Sequence, residues 1–158
     1  MTTDLRRILV IAALGLFVLA LVLYARRSVQ APALVADALR TPGVLNAAVT
    51  QATIGSTICR RGWTRTIRPP TDYTNALKRK QMRMYDEHGP PAAYQEDHLI
   101  SLELGGDPTD PGNLWPEPYP RASAVDRIEN DLNSRVCAGS LTLAAAQLQE
   151  AQLKHTQG

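Results

Sequence analysis

One stretch leaves this chain few ways to fold: Glu96-Asp97-His98-Leu99-Ile100-Ser101-Leu102-Glu103-Leu104-Gly105-Gly106, followed by Asn113-Leu114-Trp115-Pro116. An apolar run ends in a Gly-Gly pair, which admits turns closed to other residues, and a second short apolar step follows. The pattern predicts a hairpin, with one strand from Asp97 to about Glu103 and a return strand at Asn113-Leu114-Trp115. Between them lies a tight polar loop carrying Pro108 and Pro111. Pro116, Pro118 and Pro120 then lead to a helix from about Ala122 to Val136, where Val125, Ile128 and Leu132 recur at helical spacing and face the core. Gly139 ends that helix, and Leu141 to Lys154 reads as a last, weakly amphipathic one.

The same stretch carries chemistry. A neutral His takes a proton from water near neutral pH, and a neighbouring carboxylate can hold a divalent cation beside it. Asp97-His98, Gly105-Gly106 and Asn113-Leu114, in that order and ahead of a helix, resemble the core of the HNH, or ββα-metal, endonucleases. Two positions depart from that pattern. Ser101 stands where the family usually has Pro, and the helix after Pro120 has no His or Cys. The resemblance implies that His98 is the general base, that Asn113 holds the loop and the imidazole, and that Asp97 is the first metal ligand. With no helix-borne His, Asp126 is the expected second ligand, with Glu129 and then Asn130 behind it. So oxygen-rich a set favours Mg²⁺, with Mn²⁺ as a substitute, over Zn²⁺. Glu96 and Glu103 are secondary acids, and Trp63 and Trp115 read as core.

A net charge of +2 does not by itself argue for nucleic acid. Its distribution, a basic half beside an acidic half, suits a phosphate-binding surface next to a cation site, while the basic run alone reads first as a solvated charged face. Arg60, Arg61, Arg65, Arg68, Lys78, Arg79, Lys80 and Arg83 face only Asp72 within their segment, whereas Pro90 to Pro120 carries acids and no Lys or Arg. Ile58 to Arg68 alternates as a strand does. Thr71 or Asp72 starts a helix running to about Tyr85, with Leu77, Gln81 and Met84 inward. Its outward Lys78, Arg79 and Arg83 are the expected phosphate contacts. His88 and His155 read as surface residues.

Ile8 to Tyr24 is uninterrupted apolar sequence between Arg6-Arg7 and Arg26-Arg27, close to the minimum for a membrane span. An uncleaved anchor is expected over a cleaved signal, because Pro32 follows the small-residue site Val29-Gln30-Ala31. Cys59 and Cys137 lack metal-ligand spacing. Downstream of an export-like segment they read as one disulfide.

The expected architecture is therefore α+β: a small ββα-metal-type domain with flanking helices, behind an N-terminal transmembrane helix. Residues 1–27 are the anchor, 28–43 a linker and 44–158 the nuclease domain. The expected function is a metal-dependent, largely sequence-non-specific endonuclease, acting on DNA before RNA. It would be held by a single pass in the cytoplasmic membrane through Ile8–Tyr24, with its domain on the extracytoplasmic side. The alternatives are a non-catalytic envelope protein that keeps the fold, or a hydrolase of another phosphodiester or envelope polymer.

Overall fold

Tyr94-Gln95-Glu96-Asp97-His98 forms strand β1 (Tyr94–His98), which pairs antiparallel with β2 (Leu114–Pro118) in the computed structural model of the chain. The register sets Tyr94 opposite Pro118 and His98 opposite Leu114. β2 tolerates Pro116 and Pro118 because a two-stranded ribbon leaves each strand one unpaired edge, where a missing N–H costs little. The first strand ends at His98, earlier than expected. Leu99 and Ile100 bend inward, fully buried, and a short 3₁₀ turn, Leu102–Leu104, follows.

Residues 11–21, 34–119 and 121–157 are described. Among the described residues of 34–157, four α-helices accompany the ribbon: α1 (Trp63–Ile67), α2 (Thr71–Met84), α3 (Ala122–Cys137) and α4 (Leu143–Gln157). α3 buries Ala122, Val125, Glu129, Leu132 and Val136, a stripe at helical spacing. Ile128, expected inside, is 39 % exposed. Leu132 and Val136 join Leu104, Ile100, Leu143 and Ala146 in the main core, with Val49 and Ile58 closing it. Trp115 is fully buried in a second cluster with Leu99 and Ala36, and Trp63 packs against the main core. α2 matches its expected span and buries Leu77 and Gln81, but Met84, expected inward, is exposed and Met82 is buried.

The expected strand over Ile58 to Arg68 is instead a series of turns and the short helix α1. Gly62 precedes that helix at φ +82°, and Cys59 is bonded to Cys137 across 78 residues. Cross-linking to the end of a helix, with no partner strand, overrides an alternation of so few residues.

The chain divides into two compact units, Met1–Ala33 and Leu34–Gly158. Positions 34–43 of the expected linker belong to the second unit. Ala36 donates its N–H to Lys154 O at 3.0 Å, Asp37 N–H reaches the Tyr85 hydroxyl at 3.0 Å, and Gly43 N–H reaches Gly112 O at 2.9 Å. Within the first unit, residues 11–21 are helical. Among the described residues no helix is long and apolar enough to cross a membrane. The transmembrane helix expected at Ile8–Tyr24 is thus corrected, and its positions 8–10 and 22–24 lie outside the described residues.

Candidate active site

The loop between the strands is built around Asn113, which is fully buried. Its Oδ1 accepts from Ile100 N–H at 2.9 Å, and its Nδ2 donates to Ile100 O at 3.0 Å and Asp107 O at 2.9 Å. The Gly-Gly pair makes this possible. A Cβ on Gly106 would lie 1.8 Å from Ile100 O and 2.5 Å from Asn113 Nδ2, so no side chain fits there. Gly105 sits at φ +79°, a left-handed conformation that favours glycine.

That loop orients the histidine. Nε2 of His98 donates to Pro108 O at 3.1 Å, since a carbonyl only accepts. The neutral ring then carries its lone pair on Nδ1. Burial pushes the imidazole below its usual value, against the opposing pull of Asp97, so the ring is neutral at pH 7. The expected hold of Asn113 on the imidazole operates at one remove, because Asn113 fixes the loop that presents Pro108 O.

His98 lines a cleft of about 230 Å³ together with Asp97, Asp126, Glu129, Asn130 and Glu103. Residues far apart in sequence are thus brought together as expected: the strand end and the first turns of α3 share one cleft. Arg68 also lines it, and among the described residues lining it Arg68 is the one Lys or Arg. Lys78, Arg79 and Arg83 do not. Lys78 donates to Tyr94 O at 2.9 Å, and Arg83 to Arg79 O on its own helix at 2.7 Å.

Behind the cleft the chain supplies its own cation. Lys154 of α4, fully buried, donates to Asp97 Oδ2 at 2.8 Å, Glu129 Oε1 at 2.6 Å and His98 O at 2.5 Å. Glu150 stands 3.7 Å from the same ammonium and accepts from Ser101 N–H at 3.0 Å. A proline at 101 would have no N–H to give, so the Ser101 departure and the buried α4 charges form one network. Burial would lower the Lys154 ammonium, but Asp97, Glu129 and Glu150 outweigh it and hold the ammonium well above its usual value. Burial likewise raises Asp97, and Lys154 outweighs it, so Asp97 stays ionised far below the usual carboxylate range. Neither oxygen of the buried Glu117 has a partner while ionised. Burial and then Asp97 push its carboxyl up to about 9, and in the protonated form it donates to Asp97.

The expected divalent ion on Asp97, Asp126 and Glu129 does not fit this arrangement. Both Asp97 oxygens are engaged, Oδ1 by Gln95 Nε2 at 3.1 Å and Oδ2 by Lys154, and the same ammonium holds Glu129. Among the described residues no three His, Cys, Asp or Glu side chains are grouped to hold a metal. Asp126 is exposed at the cleft rim, with burial and then Asp97 raising its carboxyl.

Sequence reasoning missed Lys154, Glu150, Glu117 and Arg68. The first two left a trace, an acid and a base four apart in an Ala- and Gln-rich helix. His155, expected on the surface, is half-buried, with Nε2 donating to Thr41 O at 2.9 Å. His88 is exposed beside Asp86, as expected. No family model matches the chain, and no match is found among curated proteins or solved structures.

Proposed function

We propose that the unit Leu34–Gly158 is a phosphodiesterase of the HNH kind, cutting nucleic-acid backbone, DNA before RNA, without reading bases. One observation carries this reading. A neutral histidine, its Nε2 tied to Pro108 O, lines a cleft shared with the acids of α3 and with Arg68. Nδ1 of His98 takes a proton from water, the resulting hydroxide attacks phosphorus, and the bond to the leaving oxygen breaks. That oxygen is protonated from solvent. The Arg68 guanidinium offsets charge developing on the phosphoryl oxygens. Asp97 is a positioning residue here, holding Lys154 against the back of the site. No step is routed through a metal, because Asp97 and Glu129 are engaged by Lys154. The Cys59–Cys137 bridge supports a working compartment in which disulfides persist, outside the cytoplasm.

A second reading has a specific observation in its favour. The same Lys154 pairing suits a protein that keeps the fold and binds without cutting. Nicking of supercoiled plasmid by the purified full chain, in Mg²⁺, in Mn²⁺ and in EDTA, separates the two. Nicking that disappears in His98→Ala supports the phosphodiesterase. An intact plasmid under all three conditions supports the binding protein. Nicking found with Mg²⁺ or Mn²⁺ and lost in EDTA would show that Lys154 yields its acids to an ion.

A further inference from the structure

Beside the cleft runs an open groove of about 470 Å³, lined by Arg60, Arg61, Thr64, Asn133 and Ser134 over the Cys59–Cys137 bridge. Glu103 lines both the groove and the cleft, so the two adjoin. Arg60, Arg61 and Arg68 are all exposed. The acid at the joint is moderated. Burial raises the Glu103 carboxyl, and Arg68 is the leading cation acting on it. Arg68 also acts electrostatically on His98 and Asp126. The disulfide ties the residue before Arg60 to the end of α3, so this arginine segment is anchored to the helix that carries Asp126 and Glu129. The exposed arginines of α2 offer no such continuity, since neither Arg79 nor Arg83 lines the cleft or this groove.

We infer that a nucleic-acid strand lies along this groove, its phosphates held by Arg60 and Arg61, and enters the cleft past Arg68. The inference rests on the phosphodiesterase reading and gives that site its substrate path. It replaces α2 as the phosphate-holding surface. Arginine suits the task because its planar fork meets phosphate oxygens in pairs. Contacts of this kind position the backbone and carry no sequence information.

Fluorescence anisotropy of a labelled DNA duplex, with the full chain in EDTA over a series of KCl concentrations, tests it. Arg60→Ala/Arg61→Ala should weaken binding about tenfold at moderate salt and reduce the slope of log K against log salt by about 2. Arg79→Ala/Arg83→Ala removes the same charge from α2 and should leave both quantities nearly unchanged. All four side chains are exposed, and circular dichroism checks that the variants fold. Equal losses in both pairs would reduce the effect to net charge and overturn the groove. A loss confined to the α2 pair would move the strand to α2, with the phosphodiesterase reading intact. A wild-type chain that binds no DNA even at low salt would overturn both.

Discussion

The cleft has two walls made from similar residues. On the inner wall Asp97 and Glu129, with Glu150 behind them, are closed around Lys154, whose side chain is 0 % exposed. On the outer rim Asp126 and Glu103 meet solvent, with Arg68 acting on both and His98 lining the same cleft. Carboxylates serve both walls, and their roles diverge according to whether the chain brings a cation to them. A buried acid facing a buried ammonium becomes structure. A half-exposed acid keeps its reactivity and its freedom to meet a ligand.

Lys154→Met tests this contrast most severely. It strips the inner wall of its cation and leaves Asp97 and Glu129 buried without compensation, which should cost about 3–5 kcal/mol in urea denaturation. A loss under about 1 kcal/mol would make the inner wall as tolerant as the rim. His98→Ala addresses the face between the walls. It should lower plasmid nicking by about 10²–10⁴-fold and shift the unfolding midpoint little, since what it removes is a neutral hydrogen bond to Pro108 O. Undiminished nicking would remove His98 from the chemistry. At the rim, Asp126→Ala should leave stability within about 0.5 kcal/mol of wild type, measured by the same denaturation, and lower nicking no more than about tenfold. A larger stability loss would place the rim acid in the same structural role as Glu129.

The smallest effect is read in pH. Burial raises Glu117 from 4.5 to about 9 and Glu96 from 4.5 to about 8. The folded state keeps these protons across a range in which the unfolded chain has lost them. Their stabilisation is therefore complete below pH 4.5 and falls as pH rises towards 8 and 9. Asp97 runs the other way, contributing above its ordinary value and losing that contribution in acid. Thermal unfolding should show a midpoint about 5 °C lower at pH 8.5 than at pH 5.5. Glu117→Gln should flatten that slope, because an amide can still donate to Asp97 and has no proton to lose. An unchanged slope would detach Glu117 from the inner wall.

Much of this is legible along the chain. Asp97-His98, Gly105-Gly106 and Asn113 already imply a hairpin closed by an asparagine, because those residues act within twenty positions of one another. Helical spacing in Val125 and Leu132 places α3, and the two lone cysteines pair as expected. The alternation of Ile58 to Arg68 misleads, since it says nothing of the cross-link that bends the segment. The apolar run at Ile8–Tyr24 misleads as well. Its composition states a hydropathy, and among the described residues no helix is long and apolar enough to cross a membrane.

Local devices are written in the order of the residues: the turn that only glycine allows, the buried Asn, the acid–histidine step and the stripe of α3. Which charges meet is settled by packing alone. Lys154 lies 57 positions from Asp97 and 25 from Glu129, and no periodicity reports a contact at such separations. Whether a carboxylate awaits an ion or already holds one depends on what the fold brings within 3 Å of it. Burial then makes that choice binding, because an ammonium and a carboxylate out of water can separate only by leaving both charges unsolvated.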